Sequence, residues 1–228
     1  MGKLARTDLS GRIVAVIASQ ADLLRAQRLR QLPDLFELRL DALCNITQEV
    51  FQALPRLRAP LIVTARHPAE GGVNQLAAAK RRDLLLKFVS VAAFVDVELR
   101  SIAPLQPVLE LADELQIRRI LSVHDIRGTP ALGRLERLAM IAQENGADIF
   151  KVATRTDDDR QVNRLLEFFR LVKQLMPASV MSIGRCAREL RLQFAREGSA
   201  LNFTHLGSAR AEGQWAFSDL RRSLRLRR

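Results

Sequence analysis

The chain has no tyrosine, a single tryptophan, and only 5% aromatic residues in all. Stacking platforms of the kind that hold single-stranded nucleic acid are therefore scarce. Cysteine is limited to Cys44 and Cys186, too few for a disulfide framework and without a metal-binding spacing. The expectation is a cytoplasmic protein without a metal site. No uncharged stretch exceeds a dozen positions, which is too short for a membrane-spanning helix. The apolar run Ile13 to Ala18, after Lys3, Arg6 and Arg12, is too brief for a signal-peptide core. Lysine is scarce as well: among 36 basic residues it occurs only as Lys3, Lys80, Lys87, Lys151 and Lys173. Arginine supplies the rest, and arginine is effectively never deprotonated, so it cannot act as a nucleophilic amine.

What is present points to a folded globular chain. Its 228 residues are 48% hydrophobic and 27% charged, enough for one sizeable core. A net charge of +11 raises the question of nucleic acid. Five arginines fall in the last eight residues, 221–228, and a basic terminal tail reads as a solvated end. The composition argues against nucleic-acid and membrane partners.

Short apolar segments recur with longer amphipathic ones between them. Strands are predicted at Ile13–Ile17, Phe36–Leu40, Leu61–Ala65, Phe94–Glu98, Ile120–Val123, Ile149–Val152, Val180–Ile183 and Ala200–Phe203. Most are rich in β-branched or large apolar residues, as strands buried on both faces are. Helical periodicity marks Ala21–Leu32, Asn74–Val91, Ala131–Asn145 and Asp158–Met176, and Asn145-Gly146 is a helix stop. Eight such alternations predict a single-domain α/β protein, a (β/α)8 TIM barrel over 1–228 with a basic tail from about 221. An open doubly wound sheet would need a glycine-rich phosphate loop after the first strand, and residues 15–20 offer none.

In a barrel, alternate strand residues face inward and chemistry gathers at the carboxyl ends of the strands. By that parity Glu37, Arg39 and Asp41 share one face of the second strand. Thr64 and Arg66 end the third, Asp96 and Glu98 the fourth, Ser122 and His124 the fifth, and Lys151 sits late in the sixth. Any one of these reads most simply as part of a structural ion pair. Five consecutive strands delivering ionisable groups to one end read as a site. Lys151 lies between Phe150 and Val152 in a strand that should be buried. Burial and the positive charge of Arg39 and Arg66 are expected to disfavour an ammonium there and free an amine to attack a ketone. His124, followed by Asp125 and with Glu98 one strand earlier to orient its ring, can act as general acid and base. His67 and His205 read as surface or loop residues.

At these residues the chain resembles the type I 3-dehydroquinate dehydratases. Glu37-Leu38-Arg39-Leu40-Asp41 is similar to the E-x-R-x-D strand of that family. Residues 64–72, Thr-Ala-Arg-His-Pro-Ala-Glu-Gly-Gly, are similar to its T-x-R-x-x-x-E-G-G segment. Val95 to Leu99, Ser122 to Asp125 and Asp148 to Ala153 resemble the strands that carry its glutamate, histidine and Schiff-base lysine. The resemblance implies a hydro-lyase of the shikimate or quinate pathways that converts 3-dehydroquinate to 3-dehydroshikimate and water. Lys151 would form the imine, His124 would move the proton, and Glu98 would orient His124, with no metal and no dissociable cofactor needed. Glu37, Arg39 and Arg66 would bind the substrate hydroxyls, Arg191 would clamp the carboxylate, and a homodimer is implied.

Departures cluster elsewhere. Where the family has S-M-G-x-x-G-x-x-S-R, residues 182–191 keep Arg191 but carry Ala187 for the second glycine and Leu190 for the serine. The closing loop, S-A-P-G-Q in the family, reads Arg210-Ala211-Glu212-Gly213-Gln214. A serine near the end of the first strand is replaced at Val16. Arg210 and Gln214 are the expected substrate contacts of that loop, with Arg210 a second cation for the carboxylate or a sign of a different keto acid. Without its proline the loop is expected to be more mobile and binding weaker. Two other readings compete: a lysine-dependent aldolase or lyase on the same barrel, which needs neither Glu98 nor His124, and a degenerate barrel that binds through its arginine-rich tail.

Overall fold

In the computed structural model the described residues are 9–225; Lys3 and Arg6 and the last three residues of the basic tail, Leu226 to Arg228, lie outside them. Eight strands alternate with helices: β1 (Arg12–Ile17), α1 (Gln20–Arg28), β2 (Leu35–Arg39), α2 (Leu40–Leu43), α3 (Thr47–Ala53), β3 (Leu61–Thr64), α4 (Ala78–Phe88), β4 (Phe94–Glu98), α5 (Gln106–Glu114), β5 (Arg118–Asp125), α6 (Leu132–Glu144), β6 (Ile149–Arg155), α7 (Asp159–Leu175), β7 (Ala178–Ile183), α8 (Ala187–Arg196), β8 (Leu201–His205) and α9 (Phe217–Arg225). All neighbours pair in parallel, in the order β7-β6-β5-β4-β3-β2-β1-β8. The seam between β7 and β8 is drawn together by Ala200 N donating to the Ala178 carbonyl at 2.8 Å and Val180 N to Ser199 Oγ at 3.2 Å. The fold is the expected TIM barrel, nearly closed and of one domain.

Two apolar layers follow from the period-two alternation of the strands. Ala15, Phe36, Leu38, Val63, Val95, Leu121, Phe150 and Val180 face outward and are covered by the helices. Val14, Leu35, Ile62, Phe94, Ile120, Ile149 and Leu201 fill the interior toward the amino ends of the strands. Going up the same inward faces, Glu37 follows Leu35, Thr64 follows Ile62, Asp96 follows Phe94, Ser122 follows Ile120 and Lys151 follows Ile149. The barrel is plugged with hydrocarbon below and lined with charge above, where the carboxyl ends of the strands lie.

Several boundaries differ from the sequence expectation for identifiable reasons. β2 ends at Arg39 and not at Leu40, because Asp41 turns back in α2 to accept from Arg39 Nε at 2.9 Å and from the Arg66 amide at 3.2 Å. α4 begins at Ala78 rather than Asn74: Asn74 and Gln75 have φ of +62° and +45°, and Asn74 Nδ2 donates to the Asp41 carbonyl at 2.9 Å. α1 starts on a reciprocal cap, Ser19 Oγ accepting from Asp22 N at 3.1 Å and donating to Asp22 Oδ2 at 2.8 Å. Arg221, Arg222 and Arg225 are not a free tail but the end of α9, which packs through buried Phe217 and Leu220. His205 is the last residue of β8, half-buried, and not a loop residue.

Candidate active site

A cavity of about 200 Å³ opens at the carboxyl ends of the strands, lined by Glu37, Arg39, Arg66, Glu70, His124, Lys151, Arg191, Arg210 and Gln214, with Val16 and Phe203 among its apolar walls. Eight of the nine expected site residues line it; Glu98 does not. Val16 stands on the wall where the resembled pattern has a serine.

Lys151 is 3% exposed. Its Nζ lies 2.7 Å from Asp96 Oδ2, 3.4 Å from Glu37 Oε1 and 3.7 Å from the centre of the Phe203 ring. Its nearest charges are thus carboxylates, whereas Arg39 and Arg66 were the expected neighbours. The reason is that each arginine is already claimed. Arg39 forms a two-pronged pair with Asp41 at 2.9 and 2.8 Å. Arg66 reaches Asp96 Oδ2 at 3.2 Å and Glu98 Oε1 at 3.1 Å. Asp96, which the residue-by-residue reading passed over, is the hub: it binds Lys151 and Arg66 and accepts from Ser122 Oγ at 2.6 Å. Burial opposes its ionisation, but Arg66 and Lys151 overcome that and hold its carboxyl well below the usual range. The same carboxylates, outweighing burial, push the Arg66 guanidinium above its ordinary value.

The expected partner of His124 is corrected. Both oxygens of Glu98 are occupied elsewhere: Oε1 accepts from Arg66 and from the His67 amide at 2.9 Å, and Oε2 binds Arg81, a fully buried arginine of α4. No hydrogen bond joins Glu98 to His124 among the described residues. Glu70 takes that place. Its Oε2 lies 3.1 Å from His124 Nδ1 and accepts from the His124 amide at 2.8 Å. Gly71, at φ +85°, lets the chain turn there, and a Cβ on Gly72 would collide with the Arg66 carbonyl. The two glycines fold Glu70 back over the barrel mouth. The E-G-G run was the available signal for Glu70; for Arg81 it was the spacing, since Arg81, Leu84, Leu85 and Phe88 share the buried face of α4.

Burial, and after it Arg66 and Lys151, press the His124 imidazole well below its ordinary pKa, which keeps the ring neutral. Burial and the charge of Glu98 push the Glu70 carboxyl up to about 7. Arg66 NH1 also lies 3.1 Å from His124 Nδ1, so this nitrogen has one partner that accepts and one that only donates. The ring's other nitrogen, Nε2, is left for the cavity.

On the opposite wall Arg191 is 8% exposed. Its Nε donates to the Ser182 carbonyl at 2.8 Å, and it has no carboxylate partner among the described residues. Desolvation lowers it to about 10. Every other cation on the cavity wall, Arg39, Arg66, Lys151 and Arg210, has a carboxylate within 3.4 Å. Gln214 Oε1 accepts from the Arg210 amide at 2.8 Å, and Arg210 turns its guanidinium to Asp22 Oδ2 at 3.2 Å. Asp125 is spent on a turn, accepting from the Arg127 and Gly128 amides at 3.0 and 3.2 Å. His67 caps its own loop, Nδ1 accepting from the Ala69 amide at 3.0 Å.

Comparison with known proteins places this geometry. The sequence profile described as type I 3-dehydroquinase matches residues 13–228. The chain is similar to a 3-dehydroquinate dehydratase of Pyrococcus abyssi, 31% identical over 194 residues, covering 85% of this chain and 87% of the relative. Among solved structures, 3-dehydroquinate dehydratase from Geobacillus kaustophilus superposes with a TM-score of 0.83 at 26% identity, over 94% of this chain and 90% of that one. A type I 3-dehydroquinate dehydratase from Clostridium difficile, solved with covalently modified comenic acid, gives 0.82 at 26% identity, over 95% and 92%. No helix among the described residues is long and apolar enough to cross a membrane.

Proposed function

This chain belongs to the type I 3-dehydroquinase family and dehydrates 3-dehydroquinate as a hydro-lyase of the shikimate pathway; we propose that it does so through an imine on Lys151, with His124 moving the proton and Glu70 positioning His124. The observation that carries this reading is what one cavity brings together: a buried amine, a neutral imidazole and a buried guanidinium with no carboxylate partner among the described residues.

Arg191 receives the substrate carboxylate, which supplies the anion its site lacks. Arg39, Glu37 and Gln214 offer donors and acceptors to the ring hydroxyls. Lys151 Nζ, once it has shed a proton, adds to the C3 ketone, and loss of water leaves a protonated imine. His124 Nε2 removes a proton from C2, and the electron pair left behind moves into the C–N system as an enamine. The enamine expels the C1 hydroxyl, which leaves as water with the proton His124 had taken. A second water hydrolyses the imine, releasing 3-dehydroshikimate and restoring Lys151. One water enters and two leave, so the net reaction is loss of one.

The tautomer that starts this sequence has its proton on Nδ1, donated to Glu70, with Nε2 bare. Arg66 competes for the opposite tautomer. Its two carboxylates, Asp96 and Glu98, hold it in place and limit that competition. Glu98 is thereby a positioning residue one step removed from the ring. The enzyme is placed in the cytoplasm, a reading supported by the free thiols Cys44 and Cys186. A homodimer is supported by the exposed Met140 and Ile141 of α6 and Leu171 and Leu175 of α7. Incubation of the purified protein with 3-dehydroquinate should produce 3-dehydroshikimate, read by the ultraviolet absorbance of its conjugated ketone. A well-folded Lys151→Met variant that still formed product would refute the imine.

A further inference from the structure

The two positions at which the closing loop departs from the resembled pattern, Arg210 and Glu212, each end in an ion pair, and from the middle of that loop the two pairs reach to different strands of the barrel. The loop, residues 206–216, leads from β8 to α9 across the mouth of the barrel. Arg210 NH2 meets Asp22 Oδ2 at 3.2 Å. Asp22 is buried in the first turn of α1, directly after β1, and is itself fixed by Ser19 Oγ at 2.8 Å and the Ala18 amide at 3.3 Å. Two residues further on, Glu212 Oε2 meets Arg155 NH2 at 3.4 Å. Arg155 is the last residue of β6, and its Nε donates to Asp157 Oδ2 at 2.6 Å. Asp157 in turn accepts from the Arg185 amide at 3.0 Å, which ties in the loop after β7. Reading round the barrel, the tethers run from β1 past β8 and β7 to β6, half of its rim.

Directly after the tethers the loop is packed and hydrogen-bonded to its surroundings. Gly213, at φ +77°, presses so closely on Ala187 that a Cβ there would collide with it. Trp215 Nε1 donates to the Arg188 carbonyl at 2.8 Å. The altered residue Ala187 therefore meets the loop at its glycine, directly after the altered residues Arg210 and Glu212 that tether it.

We infer that Arg210–Asp22 and Glu212–Arg155 form an electrostatic strap, two positioning pairs that hold the β8–α9 loop closed over bound substrate in place of the serine and proline of the resembled pattern. The inference rests on the reading of the cavity as the 3-dehydroquinate site. A loop without its proline has more conformations to lose on closing. Two pairs that persist in the closed form offset that loss without touching the reacting atoms. Since the tethers are partly exposed, dissolved salt screens them, whereas the buried charges of the cavity floor are screened far less. The strap should therefore act on substrate retention and leave the chemical step alone.

The Glu212–Arg155 end gives the cleaner test, because neither residue lines the cavity. Steady-state kinetics with 3-dehydroquinate would be measured for the wild type, Glu212→Gln, Arg155→Gln and the double variant. At low salt each single variant should raise KM about two- to fivefold, the size a partly exposed pair supports, with kcat within about twofold. The double variant should rise no further than either single one. Going from about 0.02 M to about 0.5 M salt, the gap between wild type and variants should close. Hydrogen exchange of the loop amides, measured without substrate, should speed up in the same variants. An unchanged KM, additive effects, or a gap that persists at high salt would overturn the strap. If the wild type fails to turn over 3-dehydroquinate the functional reading falls, and the exchange measurement still decides whether the tethers hold the loop.

Discussion

The floor of the cavity and its roof handle charge in opposite ways. On the floor, the side chains of Lys151, Arg66, Asp96 and Glu98 are at most 3% exposed, and each has at least two charged or polar partners. On the roof, Arg210 is 41% exposed and Glu212 52%, each with a single ion pair. The floor carries the motifs on which the resemblance rests; the roof is where the departures from the resembled pattern lie. The difference shows where substitution is tolerable. A buried charge network fails as a unit when one member is lost, because the partners are left unpaired in a medium that cannot solvate them. A partly exposed pair can be gained or lost at small cost, so a closing loop can change its fastening while the chemistry beneath it stays the same.

Substitutions that break the floor should have the largest effects. Lys151→Met removes the only amine among the described residues that line the cavity and should lower kcat by about four orders of magnitude or more, measured with 3-dehydroquinate. His124→Asn should cost about 10²- to 10⁴-fold in kcat, the span of a general acid–base group, while still allowing the imine to form. Glu98→Ala would strand Arg66 and Arg81 without their shared carboxylate and should destabilise the fold by about 3–5 kcal/mol, read by denaturant unfolding. Arg210→Gln on the roof should cost under about 1 kcal/mol in the same measurement, since its charge is partly solvated and Asp22 keeps Ser19, the Ala18 amide and Arg25 as partners. Equal losses at the two positions would erase the contrast between floor and roof.

Glu70 sits between the two regions and sharpens the comparison through pH. Its carboxyl is raised from 4.5 to about 7 in the fold, so the native state binds a proton that the unfolded chain has released. Between those values stability falls as pH rises, because the unfolded state holds fewer protons. Glu70→Gln removes that loss. Relative to wild type, the variant should gain on the order of 2 kcal/mol as pH rises from about 4.5 to 7, seen as a difference in melting temperature across a pH series. A constant difference would mean that Glu70 stays ionised throughout. The acid limb of kcat/KM should shift in the same variant, because the Glu70–His124 pair titrates as a unit.

Strand positions and the inward parity of Glu37, Asp96, Ser122 and Lys151 were legible in the sequence, because a two-residue period and buried β-branched runs are local signals. The partners of those side chains were not. Whether Lys151 meets an arginine or a carboxylate depends on register between strands, and Lys151 Nζ meets Asp96 and Glu37 from two non-adjacent strands. Glu98 was assigned to His124 from strand adjacency and from the resemblance of its strand, yet Arg66 and Arg81 take it first. Glu70 reaches the imidazole only because Gly71 and Gly72 reverse the chain, a path that no periodicity encodes. The tethers of the roof join Asp22 to Arg210 and Arg155 to Glu212 across 188 and 57 positions, separations at which the sequence alone carries no pairing signal.

The central claim is that Lys151 bonds covalently to the substrate at C3. Borohydride added during turnover of 3-dehydroquinate reduces any imine to a stable amine, and mass spectrometry of the digested protein locates it. The account predicts a single adduct with the mass of a reduced substrate or product ring, carried on the peptide that contains Lys151. An intact protein mass unchanged by the treatment, or an adduct found only on Lys80, Lys87 or Lys173, would contradict it.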